Sequence, residues 1–416
     1  MFSLKEFNWP LLFIWAALST IGLIAIYSAT QGPVAQFLPE YIQQNFTKQI
    51  LWIAISLLIL VGVQFIYPRT FLEGSYFLYG ACILLMVVTL FFGIEVNGAK
   101  SWLSIGPARI QVSEFMKIGT ILAVANYLTS RRNISAENLR SALVAVLLIL
   151  LPVVLLVLQN DMGTALVFLS LIPVMLFWSG LPYGISLFLI SPVIIGYLSI
   201  IQWYWGVIAL IVITIAIFFI QKRHWLSFTS LIVGALIVVG IQVALVQVLQ
   251  PHQRARIEAF TNPSLDPQGA GWNIIQAKTA IGSGGVFGTG FMQGTQTQLR
   301  FLPEQWTDFI FPVIGEEFGF VGASTVILLF LILFMSLLNI AGKHPNSFAQ
   351  LTIVGVTAVF FIHFFINIGS ATALLPVIGL PLPFISYGGS AFLSNTIMLA
   401  ICINLNLYKR QFSIYS

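Results

Sequence analysis

Twelve apolar stretches recur along the chain, at about 9–30, 46–67, 74–93, 113–129, 141–158, 162–180, 183–202, 204–221, 226–249, 310–340, 349–371 and 387–408. A helix needs about 20 such residues to cross the hydrocarbon of a bilayer. The pattern predicts an all-α polytopic membrane helix bundle. Close spacing between 162 and 221 leaves the count at ten to twelve spans. One long polar island, Pro251 to Asp308, interrupts the series. Loop backbone at membrane depth must find partners, so the island lies outside the bilayer or lines a cavity. Long connections that are not flexible filler are usually functional, which makes this the first place to look for chemistry.

Loop cations set the orientation. An inside N-terminus puts Lys5, Arg69, Arg131, Arg132, Arg140, Lys222, Arg223, Lys343, Lys409 and Arg410 on the cytoplasmic face. The short outer loops then keep only Lys100 and Arg109, as the positive-inside rule requires. Both termini are therefore expected in the cytoplasm, with the island outside. No soluble domain is appended: residues 1–416 read as one integral membrane unit, with 250–308 as its large extracytoplasmic loop.

Composition supports this picture. Hydrophobic residues make up 58% and charged residues 7%, against about 25% charged in soluble proteins. The net charge of +5 follows from the loop bias and calls for no nucleic-acid partner. Cys82 and Cys402 lie within apolar runs and read as packing residues. The run from Trp9 to Ile26 is too long for the core of a signal peptide and reads as the first span. The island's glycines do not make a dinucleotide fingerprint, because a G-x-G starting at Gly282 meets Phe287 where the third glycine should fall. An enzyme on the outer face would also lack cytoplasmic nucleotides. Its substrate would have to arrive activated, for example as a lipid-linked pyrophosphate.

Candidate chemistry gathers in a few places. Asp266 stands in a turn-rich stretch before an amphipathic segment, Gly271 to Ala280. It can serve as general base or cation ligand, or simply cap that segment. Glu304, Asp308, Glu316 and Glu317 lie where the island becomes a span. Carboxylates there are functional candidates, or they complement a helix N-terminus and pair with loop arginines. Glu114 and Lys117 are three apart on one helical face and can pair, for structure or for function. Asp161 opens another span and can reach the same cavity or cap its helix. Lys48 adds a cation that can equally snorkel.

Arg254, Arg256, Lys278 and Arg300 are the island's cations, and pyrophosphate or lipid headgroups are their candidate partners. Four acidic groups balance them, so the island is no electrostatic sink. The run from Gly379 to Ser390 breaks an apolar region with prolines and glycines. It predicts a kinked or re-entrant segment lining a cavity, with Asn367 facing it. His363 reads as a packed bundle residue.

On these residues the chain resembles the SEDS family (shape, elongation, division, sporulation) over nearly its whole length. The densest stretch is GAGWNIIQAKTAIGSGGVFGTGFMQGTQTQLRFLPEQWTDFIFPVIGEEFGFVG, 269–322, joined by VSEFMKIG (112–119), NDMGTAL (160–166), NIG (367–369) and GLPLPFISYGGSA (379–391). GTQTQ ahead of LPEQ is similar to the family's rod-shape branch rather than its division branch. The resemblance implies a peptidoglycan glycosyltransferase that polymerises lipid II on the outer face, for cell elongation. It also implies a class B penicillin-binding protein as partner within the elongation machinery.

By motif position, Asp266 matches the family's essential loop aspartate, and Glu114 and Lys117 match its cavity ion pair. Asp161, Glu304, Asp308, Glu316 and Ser386 match other recurrent positions, and Lys48 a recurrent basic one. Val112 and Asn160 replace prolines that are usual in the family. Trp306 replaces a usual histidine, so a histidine there is not essential to the chemistry of this chain. Relatives are usually described with ten spans, so 183–249 is expected to carry an added hairpin.

The mechanism this implies has Asp266 taking a proton from the acceptor sugar hydroxyl, with inversion at the donor carbon. Arg254, Arg256, Lys48, Lys117 or a divalent cation (Mg²⁺ or Mn²⁺) would stabilise the departing pyrophosphate. The alternative is a flippase that moves the same precursor without reacting it.

Overall fold

The computed structural model describes residues 7–96, 98–106, 108–131, 139–222, 224–248, 257, 260 and 270–412. A helix stands at each of the twelve apolar stretches. They are α1 (Trp9–Gln31), α3 (Asn45–Val63), α4 (Pro68–Phe92), α5 (Val112–Thr129), α6 (Arg140–Leu158), α7 (Met162–Trp178), α8 (Tyr183–Ile201), α9 (Trp203–Gln221), α10 (His224–Val243), α13 (Ile310–Lys343), α14 (Ser347–Ala371) and α15 (Gly389–Leu407). Shorter helices join them: α2 (Glu40–Gln43), α11 (Ala270–Ser283), α12 (Thr295–Gln298) and α16 (Lys409–Phe412). Among the described residues, ten helices are long and apolar enough to cross a membrane, α2 and α3 counting as one. Of the other two, α7 has only 17 residues, and α5 carries Glu114 and Lys117.

The innermost helices are α5, α14 and α15. About 72% of the apolar window of α14 and 83% of that of α15 are buried inside the protein, against 22% for the lipid-facing α9. At the edge, α8, α9 and α10 pack mainly on one another and join the bundle through α7. One face gathers 64–67, 344 and the C-terminal end: Asn404 Nδ2 donates to Val63 O and Ile66 O, and Tyr408 Oη to Gln64 O. The island's described part, α2 and the 93–111 segment lie on the opposite face.

That segment is a feature the span pattern did not reveal. Three antiparallel strands, β1 (Ile94–Val96), β2 (Ala99–Ile105) and β3 (Ala108–Gln111), form a small sheet in the order β1-β2-β3. Asn97-Gly98 and Gly106-Pro107 are the turn signals that would have marked it. The strand β3 runs directly into α5 and so fixes where Glu114 enters the bundle.

Prolines inside spans free a carbonyl four residues earlier, and the bundle supplies donors for two of them. Pro152 frees Leu148 O, which accepts from Tyr79 Oη of α4 at 2.8 Å. Pro192 frees Phe188 O, which accepts from Ser191 Oγ at 2.7 Å. Where no water is available, such capture keeps a broken ladder tolerable.

Replacing Tyr79 by Phe is expected to lower stability in detergent by about 1 kcal/mol. In a Pro152→Ala background the loss should shrink, because the amide of residue 152 can then reach Leu148 O. A double-mutant cycle of thermal unfolding measures both.

Candidate functional site

A closed polar layer sits between α5, α14 and α15. Glu114 Oε2 lies 2.8 Å from Lys117 Nζ, one helical turn on, with side-chain exposures of 3% and 0%. Ser394 Oγ of α15 donates to the same carboxylate oxygen at 2.9 Å. Lys117 Nζ also lies 3.1 Å from His363 Nε2 of α14. An ammonium only donates, so Nε2 accepts, and the imidazole is neutral with its proton on Nδ1. That proton points at Pro381 O, 3.1 Å away. His363 is thus more than a packed bundle residue: it links the ion pair to the segment before α15.

That segment, 372–388, is non-helical and largely buried from Leu380 to Ser386, as a re-entrant stretch should be. Its backbone groups find partners inside the protein. Asn367 Nδ2 donates to Leu380 O at 2.8 Å and to Asp308 O at 3.1 Å. Ser386 Oγ donates to Thr307 O at 2.6 Å and accepts from Leu382 N at 2.9 Å. Tyr387 N donates to Trp306 O at 2.9 Å. The segment also lies flat on α1: a Cβ on Gly22 would stand 2.5 Å from Ile385 O, so only glycine fits there.

Asp161 joins the outer rim of this layer. Its Oδ1 caps α7 through Thr164 N at 3.1 Å, and its Oδ2 accepts from Gln111 Nε2 at 3.1 Å. Gln111 N in turn donates to Ser390 Oγ at 3.2 Å, one turn before Ser394. Asp308 stands at the same level, its Oδ2 3.3 Å from where a Cβ on Gly379 would be. Lys48 is exposed, one helical turn before Trp52, whose indole packs against Gly389.

Glu316 and Glu317 do other work. Both carboxylates are buried, and they accept from hydroxyls and amides rather than pairing with loop arginines, one of the two readings the sequence left open. Glu316 accepts from Gln296 N at 2.7 Å, Thr297 N at 2.9 Å and Thr297 Oγ1 at 2.6 Å, so it caps α12 from outside. Glu317 accepts from Ser28 Oγ and from Gln298 Nε2. The GTQTQ motif is therefore the seat of the Glu316 carboxylate.

The glycine-rich run beside it has a matching purpose. Helix α13 breaks at Gly319 (φ 63°, ψ −158°), and the 284–290 loop docks on the break. Phe320 N and Val321 N donate to Gly285 O and Val286 O, while Thr289 N and Gly290 N donate to Glu316 O and Glu317 O. A Cβ on Gly288 would meet Glu317 O at 2.1 Å.

Glu304 is at the surface, away from the closed layer. Partial burial raises its carboxyl above the usual range, and the Thr307 hydroxyl and Arg300 pull the other way. Asp266, Arg254 and Arg256 lie outside the described residues. Among the described residues, no three His, Cys, Asp or Glu side chains gather as a metal site would require. The layer's two further members, His363 and Ser394, were missed from sequence. Their signal was spacing: His363 stands four before Asn367, and Ser394 four after Ser390, each pair on one helical face.

The buried pair yields a stability test. Lys117→Met strands the Glu114 carboxylate and is expected to cost about 3–5 kcal/mol. The double variant Glu114→Gln/Lys117→Met should lose less than Lys117→Met alone. Thermal unfolding of the purified proteins in one detergent decides it.

Known proteins match over this whole framework. The FtsW/RodA/SpoVE cell cycle protein family matches at residues 8–210 and again at 184–411. The two matches overlap on α8 and the start of α9. Peptidoglycan glycosyltransferase RodA of Treponema pallidum is 33% identical, covering 97% of this chain and 98% of its own length. Peptidoglycan glycosyltransferase MrdB of Escherichia coli is 32% identical over 97% of this chain and 94% of its own.

Among solved structures, a chain from a peptidoglycan synthase complex described as coordinating polymerization and crosslinking superposes with a TM-score of 0.72. It shows 28% identity over 97% of this chain and 99% of that one. The rod shape determining protein RodA of Thermus thermophilus superposes at 0.62, with 27% identity and 97% of both chains covered. Matched from residue 8 to residue 411, the chain belongs to the FtsW/RodA/SpoVE family.

Proposed function

We propose that the chain is a peptidoglycan glycosyltransferase that polymerises lipid II, the undecaprenyl-pyrophosphate-linked disaccharide peptide, on the outer face of the bacterial cytoplasmic membrane during cell elongation. The observation that carries this is end-to-end similarity to relatives named for that activity, 33% identical over 97% of this chain. Orientation follows from charge. The face holding 64–67, the 344 turn and α16 also carries the chain's concentration of loop Lys and Arg, which supports cytoplasmic termini. The island then faces outward, where the lipid-linked substrate is displayed.

In this mechanism Asp266 accepts the proton of the 4-hydroxyl of the acceptor sugar. The oxygen attacks the anomeric carbon of the lipid-linked donor from the side opposite its pyrophosphate. The new C–O bond forms as the bond to pyrophosphate breaks, and the centre inverts. Developing charge on the leaving group needs fixed cations. Lys117 is withdrawn from that task, since it is fully buried and engaged by Glu114 and His363. Lys48, Arg254 and Arg256 remain for it. Among the described residues no three His, Cys, Asp or Glu side chains gather around a cation; Mg²⁺ or Mn²⁺, if bound, would be held by residues around Asp266 and would offset charge on the departing pyrophosphate. A class B penicillin-binding protein is the proposed partner; the synthase complex that matches this fold pairs polymerization with crosslinking.

Purified Asp266→Ala should fold with the wild-type melting temperature and polymerise lipid II at least about 100-fold more slowly. Glycan strands formed by the wild type should persist in the presence of moenomycin-type inhibitors. Wild-type polymerisation by Asp266→Ala would sink the mechanism. Transbilayer movement of lipid II with no polymer from the wild type would favour the flippase.

A further inference from the structure

A second site lies on the outer face. A cleft of about 310 Å³ is walled by Tyr41 and Ile42 of α2, Trp272 of α11, Trp306, and the turn from Arg300 to Glu304. None of its walls comes from the Glu114–Lys117–His363 layer or from the re-entrant segment. Its volume is at the lower end of those that hold small ligands.

The walls are fixed by their own contacts. Trp272 Nε1 donates to Phe301 O at 2.9 Å, and Arg300 Nη1 to Phe37 O at 2.7 Å. Trp306 packs with Ala29, Val34, Leu38 and Ile42. Tyr41, by contrast, is 66% exposed, a large ring held out at the rim. Arg300 and Glu304 both adopt left-handed backbone, with φ of 60° and 47°. Two non-glycine residues at positive φ, five and one positions from Gln305, carry strain of the kind that clusters at ligand sites.

The chemistry of the walls selects a ligand class. Guanidinium and carboxyl offset each other, so the cleft favours neither an anion nor a cation. Charged groups at the walls argue against a lipid tail. Aromatic faces beside a donor and an acceptor on the same turn suit a pyranose, whose C–H face packs on rings while its hydroxyls bridge Glu304 and Arg300. The Glu304 end of the cleft is tied to the chain that follows it. Glu304 O accepts from the amides of Thr307, Asp308 and Phe309, and Asp308 O is held by Asn367.

We propose that this cleft is a saccharide subsite that holds an N-acetylated amino sugar of the growing glycan strand, away from the reacting bond. That the sugar is a glycan unit rests on the polymerase reading above. Here Glu304 binds substrate rather than transferring a proton. Trp306 supplies apolar floor.

The test uses the full-length protein in detergent and chitotetraose, a β-1,4-linked N-acetylglucosamine tetramer with neither lipid nor pyrophosphate. Wild type and Asp266→Ala should bind it equally by calorimetry, with a change in tryptophan emission. Tyr41→Ala, at an exposed position that packing does not depend on, and Trp272→Ala should each weaken binding about tenfold or more. Trp272→Phe should restore most of it. In polymerisation assays the two alanine variants should release shorter strands. Absence of binding by wild type, or undiminished binding by Tyr41→Ala and Trp272→Ala, overturns the subsite. So does loss of a co-purifying penicillin-binding protein in those variants with saccharide binding unchanged. Saccharide binding by a wild type that makes no polymer supports the subsite and overturns the polymerase reading instead.

Discussion

Hydrocarbon offers no hydrogen bonds, and the architecture is arranged around that constraint. Backbone and charged groups carried to membrane depth are costly unless they bring partners with them. Leu148 O and Phe188 O, freed by Pro152 and Pro192, are met by Tyr79 and Ser191. Glu114 is met by Lys117 and Ser394, and Lys117 again by His363. The last link, His363 to Pro381 O, extends the closure from side chains to backbone. A stretch of chain that could not otherwise lie inside a bundle is thereby held there. The ion pair is best understood as the anchor of that stretch, since a charge pair so completely buried has no exposed surface to offer a substrate.

The outer loop obeys the same constraint by a different route. Its described part is built against the start of α13, with Glu316 seated in the Thr295–Gln298 turn and the glycine run docked on the Gly319 break. A carboxylate that accepts several backbone and hydroxyl donors is costly to displace. The described part of the loop therefore behaves as a scaffold with fixed edges. The 306–307 turn and the 386–387 segment meet at one such edge, where Thr307 O and Trp306 O receive Ser386 Oγ and Tyr387 N.

Much of this was legible from sequence because the signals are one-dimensional. Span positions follow from runs of apolar residues. The Glu114–Lys117 contact follows from a three-residue spacing, and the irregular 379–390 stretch from its prolines and glycines. What escaped depends on contacts between distant segments. Glu316 and Glu317 looked like partners for arginines, because charge is visible in a sequence while a ring of backbone amides is not. His363 looked like packing, because an imidazole on an apolar helix declares nothing until Lys117 lies opposite. The sheet at 94–111 was hidden by its brevity and by the weight of the apolar pattern around it. Glu304 was grouped with Asp308 and Glu316 by proximity in the chain, yet the three carboxylates face different surroundings.

That divergence suggests how labour is divided. Carboxylates closed off by internal partners, Glu114 and Glu316, hold the framework, whereas Glu317 has one oxygen met by Ser28 and Gln298 and a second, buried Oε2 that makes no hydrogen bond among the described residues. Asp161 is intermediate: one oxygen caps α7 while the other reaches Gln111 at the rim of the bundle. Glu304 keeps an open face toward a cleft, and its raised carboxyl is what partial desolvation by ring walls produces. Reactivity requires a group whose bonding is incomplete in the resting protein, because a fully satisfied carboxylate has little left to give a substrate. By that criterion the framework acids are poor candidates for proton transfer. The base is then to be sought in the outer loop, where the motif places Asp266.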